Sequence, residues 1–268
     1  MKPTFILGLG AQKSGTTWLH RYLNSFDCAN FGVRKEYHVW DVKFMPDQFQ
    51  GWWKLQPGNK ETDGNALRRL MADVDGAYES YFAGLINNTV RLTGDISPSY
   101  TALKADHLAT IKGRMEAAGF SVQPILLMRD PVERCWSGTR MHYRREREKG
   151  RSFTDADVRQ SFASSFSAKA VVIRTQYDRT LQALDEVFQP DEYYVGIYET
   201  MFSPEAIKSL SEFVGVPPKP EFGERVFNET EDMTLSYEDR QACYTYYQDT
   251  YDYCLKRFPE LSDLWWKP

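Results

Sequence analysis

Thr4-Phe5-Ile6-Leu7-Gly8-Leu9-Gly10-Ala11-Gln12-Lys13-Ser14-Gly15-Thr16-Thr17-Trp18-Leu19 contains the transition that decides the fold. The short apolar run Phe5 to Leu9 reads as a buried strand. Beyond Thr16 the period changes: Trp18, Leu19, Tyr22, Leu23 and Phe26 fall on one face of a helix. A loop bounded by glycines lies between the two, where backbone amides and the positive helix end converge on a site for a phosphate-like anion. Gly10-x4-Gly15 has Walker spacing, but Thr16 follows Gly15 where a nucleoside triphosphatase places its lysine, and the lysine sits inside the loop as Lys13. Its ammonium can neutralise an anion there, and the Thr16 and Thr17 hydroxyls can hold further oxygens.

Working outward, the runs Phe31 to Val33, Val90 to Thr93, Val122 to Met128 and Tyr193 to Tyr198 also read as strands. Helical periods run from Thr101 to Ala118, Pro131 to Glu148, Ala170 to Phe188, Pro204 to Val214 and Tyr237 to Arg257. This alternation predicts an α/β protein with a P-loop-like, mostly parallel sheet flanked by helices on both faces. Without a linker or repeat, residues 1–268 read as a single domain, with an irregular segment at 41–64 near the mouth of the sheet.

Composition narrows the partners. Thirty-three Lys and Arg against 37 Asp and Glu give a net charge of -4, so the chain has no global footprint for nucleic acid, and an anion site must be local. No apolar run reaches the ~20 residues of a membrane span, and Met1 to Leu9 reads as a strand, not a signal peptide. Cys28, Cys135, Cys243 and Cys254 have neither CxxC nor metal-ligand spacing, which predicts free thiols, a cytoplasmic location and no metal. The basic run Arg140 to Arg151 includes Glu146 and Glu148 and reads as a solvated helix end. Nothing in the sequence sets an oligomeric state.

Gln12-Lys13-Ser14-Gly15-Thr16-Thr17-Trp18-Leu19 resembles the 5′-phosphosulfate loop of sulfotransferases that use 3′-phosphoadenosine 5′-phosphosulfate (PAPS). The resemblance implies that Gln12, Lys13, Ser14, Gly15, Thr16, Thr17 and Trp18 bind the donor. Arg129-Asp130-Pro131-Val132-Glu133-Arg134-Cys135-Trp136-Ser137 is similar to the family's 3′-phosphate motif and assigns Arg129 and Ser137 to that group. An arginine fork suits phosphate geometry. Lys35-Glu36-x-His38 followed by Trp40 and Asp41 resembles the base segment of heparan-sulfate-type carbohydrate sulfotransferases. By that match Glu36 is the base, its pKa raised toward 6 or 7 by burial, and Lys35 neutralises the transferring group; His38 is the rival base.

Gly94-Asp95-Ile96-Ser97-Pro98-Ser99-Tyr100 looks like the family's acceptor segment, with Ile96 where the family has a lysine, and implies acceptor contacts from Asp95 and Ser97. Trp40, Trp52 and Trp53 are candidate walls for a flat ligand. The family's nucleotide-closing loop has no clear counterpart; Arg225 and Asn228 occupy the corresponding stretch. The resemblance implies transfer of a sulfuryl group to a hydroxyl, on a carbohydrate or small-molecule acceptor, releasing adenosine 3′,5′-bisphosphate. A P-loop kinase using ATP and magnesium, or a non-catalytic nucleotide-binding protein, is the competing reading.

Overall fold

A computed structural model describes residues 2–49, 63–224 and 233–268. Four strands, β1 (Thr4–Gly10), β2 (Leu92–Ile96), β3 (Ser121–Met128) and β4 (Tyr194–Ile197), form a wholly parallel sheet in the order β2-β1-β3-β4. The chain leaves β1 toward β2 on one side, then crosses back over β1 to β3. That reversal creates a switch point between β1 and β3, and ligands of such sheets bind at the carboxyl ends of the strands there.

Both faces of the sheet are covered, which explains why β1 and β3 carry apolar runs instead of alternating. Phe5, Leu7, Leu9, Leu126 and Met128 point into the larger core; Ile6, Ile125 and Leu127 point into the other. The smaller core is closed by α1 (Thr16–Leu23), through Trp18, Leu19, Tyr22 and Leu23, and by α11 (Pro204–Val214), through Ile207, Leu210 and Val214. The larger face carries α5 (Ala77–Leu85), α6 (Ala105–Ala117), α7 (Pro131–Glu148), α8 (Asp155–Ser165), α10 (Tyr177–Val187), α12 (Tyr237–Tyr246) and α13 (Gln248–Arg257). The short helices α2 (Val39–Phe44), α3 (Pro46–Phe49), α4 (Asp63–Asp73) and α9 (Lys169–Val172) complete the order. No helix among the described residues is long and apolar enough to cross a membrane.

Helices α7 and α11 have the ends that their sequences predict. Pro131 and Pro204 stand at the first helical positions, and the Asp130 and Ser203 side chains cap the next turn by accepting from the amides of Glu133 and Ala206. The expected strand at Phe31 to Val33 is not formed. Gly32 has φ +72° and turns the chain there, leaving a single parallel bridge between Ala29 and Leu92. The span 170–188 divides into α9 and α10, and 237–257 divides at Tyr247. Within 41–64, residues through Phe49 are helical in α2 and α3, whereas Trp52 and Trp53 lie outside the described residues.

Candidate active site

The loop after β1 owes its shape to two glycines. Gly10 has φ +118°, and a Cβ there would meet the Pro98 carbonyl oxygen at 2.5 Å; Gly15 has φ +91°, and a Cβ would meet Met201 Sδ at 2.6 Å. Gly15 is also the N-cap of α1 and has no side chain to satisfy the first-turn amides, so those donors are left for a ligand. Lys13 adopts φ +70°, a conformation that costs of order 1 kcal/mol outside glycine, and its side chain lines the cleft above the loop. The loop is tied to the neighbouring strand by Ala11 N–H donating to Leu127 O at 2.7 Å.

Arg129, at the end of β3, braces the same loop: its Nη1 donates to the Lys13 carbonyl at 3.3 Å and its guanidinium lies 4.3 Å from the Tyr198 ring centre. Glu133 is only a loose partner at 3.9 Å. Ser137, two turns into α7, lines the same cleft of about 950 Å³, together with Gln12, Thr16, Thr17, Lys35, Glu36 and His38. Trp18 reaches the cleft edge but is buried, stacked on Tyr22 and donating from Nε1 to Phe222 O at 3.0 Å. Ser14 is fully buried on the inner side of the loop, away from the cleft wall. Arg225 and Asn228 lie outside the described residues.

The segment carrying Glu36 has no strand beneath it. It is pinned by the end of β2 and the residue after it: Tyr37 N–H donates to Asp95 Oδ1 at 3.1 Å, His38 N–H donates to Ser97 Oγ at 3.0 Å, and the main-chain Ile96 N–H donates to Lys35 O at 3.2 Å. Asp95 also accepts from Ser97 Oγ at 2.6 Å, Tyr100 OH at 2.6 Å and Tyr78 OH at 3.2 Å. Asp95 and Ser97 are wholly buried and off the cleft wall, so the expected acceptor contacts give way to a role in holding the Glu36 loop. Trp40 is likewise corrected from a ligand wall to core, packed against Phe44 and Tyr78.

Four polar groups then form a line. Lys35 Nζ donates to Thr16 Oγ1 (3.2 Å), Thr17 Oγ1 (3.0 Å) and Glu36 Oε1 (2.8 Å); Glu36 Oε2 lies 3.1 Å from His38 Nε2; and His38 Nδ1 lies 2.7 Å from Asp41 Oδ2 and 3.0 Å from Ser99 Oγ. Burial alone disfavours the imidazolium, but its hydrogen bonds to Asp41 and Glu36 outweigh that and raise His38 to about 9. Both ring nitrogens therefore donate at neutral pH. Burial pushes Glu36 upward as expected, yet the His38 hydrogen bond and the Lys35 charge dominate and hold it at about 2, which corrects the expectation of a carboxyl raised toward 6 or 7.

Sequence reasoning missed most of the cleft's charge. Arg68 of α4 donates to the Glu36 carbonyl, Arg174 enters from the turn after α9, and Arg140, Arg144 and Arg145 of α7 line the cleft, where a solvated helix end was expected. Among the described residues, eight Lys and Arg side chains line it, against the carboxylate of Glu36. Lys13 registers this: burial, then the charges of Arg144, Arg129 and Arg140, lower it to about 8. The spacing Ser137, Arg140, Arg144 is one helical stripe, a signal that was present in the sequence but needed the position of α7 to interpret.

A parallel sheet with a glycine-shaped anion loop at its switch point, a second cationic anchor on the next strand and an ionised carboxylate between polar walls defines a group-transfer protein of P-loop-like architecture. The chain belongs to the sulfotransferase family, whose model matches residues 3–220. A solved structure agrees on the fold. A sulfotransferase from Alicyclobacillus acidocaldarius aligns at TM-score 0.60 and 17% identity over 96% of both chains. The sulfotransferase domain from the curacin biosynthetic pathway aligns at TM-score 0.49 and 22% identity, over 84% of this chain and 79% of that one. No curated protein sequence matches the chain. The family match is to sulfotransferases in general and shows no particular closeness to the heparan-sulfate type.

Proposed function

We propose that this sulfotransferase moves a sulfuryl group from PAPS to a carbohydrate hydroxyl by direct in-line transfer, with Glu36 as base, and that residues 1–268 act as one domain. The observation that carries the reading is the meeting, in one cleft, of two cationic anchors on adjacent strands with an ionised carboxylate. The donor is anionic at both ends, and a Lys13 lowered to about 8 by surrounding positive charge fits a site built for such a ligand. Arg129 and Ser137 would hold the 3′-phosphate; Lys13, Thr16, Thr17 and the α1 amides would hold the 5′ end, with Gln12 beside them. The donor supplies the activated sulfur and a phosphate leaving group.

Glu36 takes the acceptor proton as the acceptor oxygen bonds to sulfur and the bond from sulfur to the leaving oxygen breaks. Lys13 and the loop amides stabilise the charge left on the departing phosphate; losing one such preorganised donor costs about 2.7 to 4 kcal/mol. Two features favour Glu36 over His38. The Glu36 carboxylate is ionised at neutral pH and faces the cleft, whereas both His38 nitrogens are engaged with Glu36 and Asp41 and offer no lone pair. Lys35, poised between Glu36 and the Thr16 and Thr17 hydroxyls, can follow charge toward the transferring group. Polar walls around Glu36, from Thr17, Lys35, Arg68 and Ser99, support a sugar hydroxyl over a flat aromatic acceptor. Four free cysteines, three of them buried, support a reducing compartment such as the cytoplasm.

Calorimetry with adenosine 3′,5′-bisphosphate and with ATP plus magnesium tests the donor. Tighter binding of the bisphosphate is expected; preference for ATP would reject the reading in favour of a kinase.

A further inference from the structure

Beside the donor cleft a second hollow is lined, among the described residues, by Arg129 and by the carboxylates of Asp130, Glu133 and Glu199. Two of these acids are committed to uncharged donors. Asp130, almost fully buried, accepts from Tyr251 OH and Glu133 N–H through Oδ1, at 3.1 and 2.9 Å, and from Trp266 N–H through Oδ2 at 2.6 Å. Glu199, just after β4, accepts from Asp130 N–H through Oε1 at 2.9 Å and from Trp265 Nε1–H through Oε2 at 3.3 Å. Glu133, in the first turn of α7, instead stands between two arginines: Oε1 accepts from Arg240 Nη1 of α12 at 2.7 Å, and Oε2 lies 3.9 Å from Arg129 Nη2. It is bonded to the arginine that does not line the donor cleft.

Arg129 itself is held in place. Its carbonyl accepts from Tyr177 OH at 3.0 Å, its Nη1 donates to the Lys13 carbonyl, and its guanidinium lies over the Tyr198 ring. Nη2 is then the edge for which Glu133 and an incoming phosphate oxygen compete. The 3.9 Å gap is about 1 Å longer than a charge-assisted hydrogen bond, so a small swing of the carboxylate would occupy the fork that the phosphate needs.

We propose that Arg240 is a positioning residue for the donor's 3′-phosphate: by holding Glu133 through Oε1 it keeps that carboxylate off Arg129, so that the guanidinium meets the phosphate instead of an internal acid. This rests on the assignment of Arg129 to the 3′-phosphate made above. Arg240 acts through Glu133 and not by touching the donor. The three side chains are between 16% and 29% exposed, so the competition has the size of a partly screened ion pair, a few-fold in affinity.

The test is a double-mutant cycle read by calorimetry on the full chain: parent, Arg240→Gln, Glu133→Gln and the double variant. Each is titrated with adenosine 3′,5′-bisphosphate and with adenosine 5′-phosphate, which offers Arg129 no 3′ group. Arg240→Gln should weaken the bisphosphate about fivefold and change adenosine 5′-phosphate by less than about twofold. Glu133→Gln should bind the bisphosphate at least as tightly as the parent, and adding Arg240→Gln to it should weaken binding by less than about twofold. Arg240→Lys, which keeps a cation for Glu133, should stay within about twofold of the parent. No loss in Arg240→Gln overturns the proposal, as does a loss that persists undiminished beside Glu133→Gln, because Arg240 would then act by its own charge. An equal loss for both nucleotides overturns it too, since that marks a change of structure alone. A parent that binds the two nucleotides alike refutes the 3′-phosphate assignment, and one that binds neither refutes the donor assignment; the proposal falls with either.

Discussion

The two ends of the cleft are built by different means. At the donor end, main chain does most of the work: eight consecutive residues, Gly10 to Thr17, take their shape from two glycines with positive φ and present amides from the start of α1. At the acceptor end, Glu36 sits on an irregular loop at the end of β2, held mostly by side chains distant in sequence: Asp95, Ser97, Ser99, Tyr100 and Arg68. A main-chain site depends on few side chains and tolerates change in the others. A side-chain network fails at any member, because each loss leaves a buried partner unsatisfied.

The contrast can be broken most directly at Glu36. Glu36→Gln should lower kcat by about 1,000-fold while leaving adenosine 3′,5′-bisphosphate affinity nearly unchanged; unchanged turnover would remove Glu36 as base, and lost affinity would show that the two ends are not separable. Asp95→Ala leaves four buried donors without their acceptor and should cost about 3 kcal/mol or more, read by denaturant unfolding; an effect under about 0.5 kcal/mol would mean that the loop does not need its network.

Smaller effects sharpen the donor end. Lys13→Met should weaken bisphosphate binding by about 10- to 100-fold with little loss of stability. Because Lys13 is lowered to about 8, bisphosphate affinity of the parent should fall as pH rises through 8, by at most about tenfold per unit, and the variant should lack that slope. The last effect concerns His38. Its raised pKa contributes stability that is fully present below about 6.5 and is lost as pH rises through about 9; Glu36, depressed to about 2, contributes stability present above its ordinary value and lost as pH falls toward 2. The parent's Tm should therefore drop by several degrees between pH 7 and 10, at about 2 to 4 °C for each kcal/mol lost, beyond any drop in His38→Gln; parallel curves would show that the ion cluster contributes nothing.

The same contrast governs how much the sequence reveals. The sheet, α1, α7 and α11 are legible because each rests on local periodicity with a proline or glycine at its end, and the anion loop is legible because its residues are contiguous. The acceptor end is not. Asp95 and Ser97 read as acceptor contacts until the four donors converging on Asp95 show them to be supports. Trp40 has the composition of a ligand wall and the position of a core residue. Arg68 and Arg174 arrive from separate helices, and no spacing along the chain relates them to Glu36. The protonation of His38 depends on Asp41 and Glu36 flanking one ring, which is a fact of three dimensions.

The parallel pairing of β1 with β3 has a consequence for what fits between the anchors. The anion loop and Arg129 spring from neighbouring strands, whose separation is fixed at about 4.8 Å by the hydrogen-bond ladder, and the Arg129 contact with the Lys13 carbonyl locks their relative height. The sheet is thereby a ruler. On the proposed donor assignment, it reads the nucleotide by the span between its two charged ends, so that a molecule lacking either end engages one strand and leaves the other unanswered.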